Sequence, residues 1–165
     1  MENSFLATTM PEGVLGAIAR RIPGQVIESA QIADDGSVQF GYPVFINEDG
    51  VAEGISTAGT TYNPTDFYGV CYRSFPVRQT DNSKPNPQLQ QGILRTGYIW
   101  MQVSETDVTE LKYGMPVYVV VKTAGTHKVL GQVVGTADSD NTIQINATFM
   151  GPKGQNGLVE VAVGI

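Results

Sequence analysis

The chain has 165 residues, 41 % of them hydrophobic, with 19 glycines, 9 prolines, one cysteine and a formal charge of −6. That length supports one domain and is short for two, and the Gly and Pro content favours a protein of strands and turns over a helical one. The acidic balance repels phosphate backbones and anionic membrane surfaces, which argues against nucleic acid or membrane as partners. Cys71 alone rules out an intrachain disulfide framework and fits synthesis in a reducing cytoplasm. Residues 1–10 do not read as a signal peptide, and the longest apolar run, Pro116 to Val121, is far short of the ~20 residues of a spanning helix.

Residues 1–23 differ in texture from the rest and are expected to form an extended N-terminal arm, leaving 24–165 as a single β domain. Thr9 and Glu12 have capping-box spacing with Pro11 in the first turn, a start signal for a short helix reaching Arg21. Gly13 and Gly16 weaken that helix by ~1 kcal/mol each. Val14, Leu15 and Ile18 give the arm an apolar stripe suited to ordering on a partner. From Val26 to Ile32 the pattern is a strand, turned at Asp34, Asp35 and Gly36. Val38, Phe40, Tyr42, Val44 and Ile46 then share one face of a half-buried strand. Glu48, Asp49 and Gly50 make the next turn, before a weaker strand near Val51 to Ser56.

Two dense strands follow, Phe67 to Arg78 and Thr96 to Val103, apolar on both faces and therefore covered on both. A small barrel covers one face internally, so the second face predicts a homodimer or homotrimer. Between them, Gln79 to Arg95 reads as a loop, with Pro85 and Pro87 flanking Asn86. Loops above about 12 to 15 residues in a compact domain are usually functional or disordered. Ser104 is expected to cap one short helix over Glu105 to Lys112, stopped by Gly114. Strands are expected at Val117 to Lys122, His127 to Val134, Thr142 to Phe149 and Leu158 to Val163. Gly41-Tyr42-Pro43-Val44-Phe45-Ile46 and Gly114-Met115-Pro116-Val117-Tyr118-Val119 repeat one pattern, which suggests two similar half-units.

Catalytic and metal chemistry find little support. His127 is expected on the surface, and no base stands beside a nucleophile. Gly54-Ile55-Ser56-Thr57-Ala58-Gly59 is one residue too long for a nucleophile elbow. Cys71 is expected to be a buried thiol. Asp34 with Asp35, Glu48 with Asp49, and Asp138 with Asp140 sit in turn sequences that explain them without a glycosidase site. Asp138-Ser139-Asp140-Asn141 lacks the glycine and glutamate of a calcium loop. No cofactor or metal is implied.

Tyr68-Gly69-Val70, Arg73 and Pro76, then Gly97-Tyr98-Ile99 and Gly114-x-Pro116-Val117-Tyr118-Val119, resemble in their order the structural cement, or capsid decoration, proteins of tailed bacteriophages. Gly16, Ile18 and Ala19 ahead of a strand and Phe40-Gly41 extend the likeness to most of the chain. The resemblance implies an all-β fold, a β-barrel or jelly-roll-like sandwich, without catalytic activity. It implies binding to the major capsid protein on the outer surface of the assembled capsid, between capsomers, by a protein made in the bacterial host cytoplasm. The expected contact residues are Val14, Leu15, Ile18 and Arg20 of the arm and Lys84, Pro85, Asn86 and Pro87 of the long loop. Competing readings are a small-ligand or carbohydrate-binding β module, a carboxylate-dependent hydrolase, and another phage tail or baseplate structural protein. Against the carbohydrate module, Trp100 falls in the densest apolar strand, where core is expected rather than an exposed platform.

Overall fold

The structure, a computed structural model, describes residues 13–56, 61–74 and 84–165. They form ten strands: β1 (Ile18–Arg20), β2 (Val26–Ala30), β3 (Pro43–Ile46), β4 (Ala52–Glu53), β5 (Phe67–Cys71), β6 (Gln91–Gln102), β7 (Pro116–Val120), β8 (Val133–Val134), β9 (Thr142–Phe149) and β10 (Leu158–Val163). The strand order is β4-β3-β5-β6-β10-β9-β7-β8, with β1 and β2 also paired to β6, and every ladder is antiparallel. The sheet curls on itself, giving the expected all-β, barrel-like architecture.

β6 carries the topology. Its first half pairs with β2 and β5, and its second half with β10 and β1. Gly97, at φ 146, sits where the strand passes from one set of partners to the other, a conformation that a side chain rarely tolerates. Gln91 to Arg95, expected in the long loop, are therefore strand. Ile93 and Leu94 are fully buried in different clusters, and the polar Gln91 and Arg95 around them mask that signal. Of the loop, residues 84–90 remain as turns, while 79–83 and the predicted strand positions 75–78 lie outside the described residues.

The half-units hinted at by the repeated Gly-x-Pro-Val pattern are present as two lobes. In the first, Ile32 bridges Ala52 in parallel; in the second, Val103 bridges Val133 in parallel. Ala33 N donates to Ala52 O at 3.0 Å, and Ser104 N to Val133 O at 3.0 Å. Gly41 N donates to Cys71 O and Gly114 N to Phe149 O, both at 2.8 Å, while the reverse bonds run from Cys71 N to Tyr42 O and from Phe149 N to Met115 O. A single 3-10 turn, Pro64–Asp66 or Ser139–Asn141, precedes β5 and β9 in turn. Pro43 and Pro116 each open a strand, as proline in a sheet requires. β6 thus serves as the last strand of one lobe and the first of the next.

Side chains follow the same duplication. The first lobe is filled by Ile32, Val44, Ala52, Cys71 and Ile93, and the matching positions of the second are Val103, Val117, Val133, Phe149 and Val161. Cys71 is much smaller than Phe149, and the first lobe compensates by burying Phe40, whose counterpart Tyr113 is 75 % exposed. Phe45, Val70 and Leu94, on the other face of the first lobe, join the second lobe's cluster with Ile145 and Val163. Around Val70–Cys71 and Ile93–Leu94, both faces of the strands are therefore covered within one chain. The argument that drew a homodimer or homotrimer from those faces loses its premise.

Two local expectations are corrected. Glu105 to Lys112 is not a helix: the 3-10 turns named above are the helical elements among the described residues. Asp107, 5 % exposed, accepts the amide of Thr109 on Oδ1 at 3.0 Å and that of Gly135 on Oδ2 at 2.8 Å. Short polar side chains that take up backbone donors in this way compete with helix formation. The first lobe does the same with Ser37, whose Oγ accepts Gly54 N at 3.0 Å. The second correction is the strand predicted over Val38 to Ile46, which begins only at Pro43 because Gly41 turns the chain at φ 75. Val38, Phe40 and Val44 are buried, with Tyr42 and Ile46 partly so.

Asp107→Ala is expected to destabilise the fold by about 2 to 3 kcal/mol, because the buried amide of Gly135 and the part-buried amide of Thr109 lose their acceptor. Denaturant unfolding checks this, and Asp107→Asn, which keeps one acceptor oxygen, should recover part of the loss.

Candidate functional site

Neither a nucleophile–base pair nor a metal cage is assembled among the described residues, where no group of three or more His, Cys, Asp or Glu could hold an ion. His127, expected on the surface, is buried at 6 % exposure. Its Nδ1 lies 2.9 Å from Thr106 Oγ1 and 3.2 Å from Ser104 Oγ, so both hydroxyls crowd one ring nitrogen. The nearby acid, Asp107, is engaged by backbone amides and does not orient the ring. This is a structural knot holding the β6–β7 connection to the loop before β8, and it differs from a catalytic triad in both partner and geometry. Cys71 is fully buried, as expected, and burial pushes its thiol well above the ordinary range, which removes thiolate reactivity. The paired acids sit in turns: Asp35 accepts Ser37 N at 2.9 Å and Asp138 accepts Thr126 N at 3.1 Å.

The arm is where unusual geometry collects. Described from Gly13 onward, it lies in the corner between the lobes and bonds to both through its main chain. Gly16 N donates to Trp100 O at 3.0 Å, Trp100 N to Ala17 O at 3.1 Å, and Arg73 N to Gly16 O at 2.7 Å. Ile18 to Arg20 is strand, so the helix expected to reach Arg21 is absent from Gly13 onward, while its start signal at Thr9 and Glu12 lies outside the described residues. Gly13 rests on the Trp100 indole so closely that a Cβ would overlap the ring. Trp100 is thus half-buried beneath the arm, outside the two core clusters, where core packing was expected.

The expected contact residues fall into two groups that the fold does not bring together. Leu15 fits against Gly41, and Ile18 packs on the second lobe's core. Arg20 forms a two-pronged ion pair with Glu160, in which Nη2 donates to Oε2 at 2.8 Å, and its guanidinium lies 5.0 Å from the Tyr98 ring centre. That hydrogen bond raises the pKa of Arg20 and fixes its charge. Val14 is 45 % exposed. Lys84, Pro85, Asn86 and Pro87 lie at the other end of the chain's path, ahead of β6, with Lys84 Nζ beside Gly36. Pro85 is buried, Asn86 is exposed, and Asn86 Oδ1 accepts Gln88 N at 3.0 Å. Leu89, in the same turn, is 61 % exposed.

Sequence reasoning missed three surface features. β2 is an edge strand among the described residues, with Val26 and Ile27 at 40 and 41 % exposure. A groove of about 520 Å³ runs beside it, lined by Ala17, Ile22, Ile27, Tyr72 and Arg73. Arg73 stacks 4.9 Å from the Phe40 ring, and its Nε is buried without a hydrogen-bond partner among the described residues. The signal for the edge strand was present in Val26-Ile27, but only topology tells an edge from a centre.

A scan of known families matches residues 1–164 to the phage cement family, described as "Structural cement protein (E217 gp24/Pam3 gp6)". The chain belongs to this phage cement family. It is accordingly a structural protein of a bacteriophage capsid, associated with the virion. Among solved structures, a chain from "The capsid of Myoviridae Phage XM1" superposes with a TM-score of 0.67 at 13 % identity, covering 96 % of each chain. At that identity the likeness concerns the fold. A search of curated proteins returns no match.

One ionic cluster of this cement protein is expected to contribute to a pH dependence of its stability. Glu28 accepts the Tyr68 hydroxyl at 2.6 Å and Arg95 Nη1 at 2.8 Å, and Arg95 lies 3.9 Å from the Tyr68 ring centre. The Tyr68 hydrogen bond, then Arg95, lowers the Glu28 pKa, and Glu28 in turn raises that of Tyr68. A lowered carboxylate stabilises above its unfolded value of about 4.3 and loses that contribution as pH falls through the folded value. A raised phenol stabilises below its unfolded value of about 10 and loses its contribution as pH rises beyond it. Tyr68→Phe is expected to flatten both flanks of the melting-temperature profile against pH, as read by thermal unfolding in a buffer series.

Proposed function

We propose that this chain binds the outer surface of the assembled capsid between capsomers and stabilises the shell, with the major capsid protein as its partner. The role is mechanical, carried by an all-β body and no chemistry. The observation that supports it is the seating of the arm. A cement must transmit load from its contact to a body that does not yield, and the segment from Gly13 to Arg20 is bonded through its main chain to Trp100 of one lobe and Arg73 of the other. Leu15, Ile18 and Arg20 act as the root of the arm. Val14 and the residues before it reach the capsid, with the turn from Lys84 to Leu89 as second contact.

Self-association into a homodimer or homotrimer belongs to the same reading. Its support is the β2 edge, where exposed Val26 and Ile27 lie on a strand with no second strand partner among the described residues, a geometry suited to strand addition. Several arms would then engage together, and linked sites bind at high effective concentration. The acidic net charge supports an outer position, away from packaged DNA.

Removing residues 1–12 tests the reading on capsids that lack the protein. Each apolar side chain buried at the seam contributes ~1.5 to 3 kcal/mol, offset by ordering costs of roughly 1 to 2 kcal/mol per residue. The truncated form should fold normally and bind about tenfold more weakly per site. Equal affinity, with equal protection of particles against heat, would remove the arm from the contact.

A further inference from the structure

One apolar side chain stands almost wholly in solvent on a connection that is otherwise tightly held. Val108 is 98 % exposed, while Asp107 before it and Leu111 after it are buried. Asp107 ties the turn to the amides of Thr109 and Gly135, and the hydroxyls of Ser104 and Thr106 tie its start to His127. Gly135 lets the turn close down on the body, for a Cβ there would meet Leu111 Cδ2 at 2.6 Å and Thr109 Cγ2 at 2.9 Å. A lone exposed valine is ordinary on a protein surface. One presented on a turn bonded to the body on both flanks is a knob whose ordering cost was met on folding.

Charge around the knob is negative. Glu105 and Glu110 are exposed, and Lys112, the one cation between Ser104 and Met115, is ion-paired with Glu110 at 3.3 Å. The groove beside β2 has the opposite character. Ala17, Ile22, Ile27 and Tyr72 line it with apolar surface, and its charged lining residues are Arg73 and the exposed Arg21. Glu28, the carboxylate on β2, is engaged by Tyr68 and Arg95. An apolar floor set with arginines complements an apolar knob set between glutamates. Within one chain the two surfaces do not meet, since Val108 keeps nearly all its exposure.

We propose that the groove beside β2 receives the Val108 turn of a second copy of this chain, with Val108 against Ile22, Ile27 and Tyr72 and the flanking glutamates toward Arg21 and Arg73. This seating rests on the self-association proposed above and supplies the patch that meets the β2 edge. Knob and groove are different patches carried by every copy, so copies can close on one another reciprocally or as a ring.

The test uses the full chain free in solution. Isotope-labelled Val108→Cys chains are mixed with unlabelled Ile27→Cys chains and oxidised with glutathione disulfide, and the control mixes Leu89→Cys with Ile27→Cys; Cys71 is buried in all of them. Each rate is divided by that variant's own rate of glutathionylation, and mass separates mixed from like pairs. The mixed disulfide of Val108→Cys is expected to form at least tenfold faster than that of the control. Equal rates, or a product dominated by Val108→Cys paired with itself, would overturn the proposal. Arg21→Glu on the groove chain should slow the cross-link severalfold, and Glu105→Lys with Glu110→Lys on the knob chain should restore it; no slowing, or no restoration, would count against the seating. Loss of capsid binding in Val108→Asp with self-association unchanged would assign the knob to the capsid and equally overturn it. Sedimentation of the unaltered chain keeps the two readings apart: self-association without this cross-link sinks the seating alone, whereas a monomer at every concentration removes both.

Discussion

Ile93 and Leu94 are adjacent in β6 and both completely buried, one in each hydrophobic cluster. Successive strand residues point to opposite faces, so this pair requires apolar cover on both sides of the strand. The chain supplies it by folding its second half into a lobe that packs against the first. Everything distinctive follows from that: the length of β6, the glycine at its crossing, and the corner in which the arm lies. Burial of either side chain is worth roughly 1.5 to 3 kcal/mol, so losing one cover would remove a sizeable share of a typical domain's stability.

The arm's position follows from the same curl. Where β6 leaves one set of partners for another it exposes an edge, and Ile18 to Arg20 fill it opposite Tyr98 and Ile99. Glycine allows the close approach, at Gly13 over Trp100 and at Gly16 against Gly41. The Arg20–Glu160 pair then closes the outer side, with Glu160 9 % exposed beneath a half-exposed arginine. Such a pair fixes register and direction more than it adds stability. In a structural cement protein, a rooted arm is the feature that joins an otherwise passive core to whatever the arm touches.

Much of this was legible in the sequence. Alternation marked β9 through Ile145, Ala147 and Phe149, and the two Gly-x-Pro-Val stretches marked the starts of β3 and β7 and the duplication itself. Cys71 was readable as buried because an isolated thiol among aromatics seldom faces water. What failed was local. Ser104 read as a helix cap and instead bonds His127, and Asp107 beside it takes the amide of Gly135, contacts between distant segments that exist only once the chain has folded. His127 is buried for the same reason. Of the candidate contact residues, Leu15, Ile18 and Arg20 read as free because three residues of strand carry too short a pattern to announce themselves.

The shared strand also governs which changes in length the chain can absorb. Two lobes joined by a loop would tolerate insertions at the joint, whereas here the first lobe's last strand becomes the second's first with no connecting residues. One residue added between Leu94 and Ile99 would reverse the in-and-out order of everything beyond it, turning Ile99, Met101 and Val103 to the solvent side while Trp100 and Gln102 entered the core. Length variation is therefore excluded from the middle of β6 and confined to the turns at the rims, such as the one where the second lobe carries its longer connection between Val103 and Pro116. The inherited geometry of the pair is thus locked, and diversification of the surface is left to the arm and the loops.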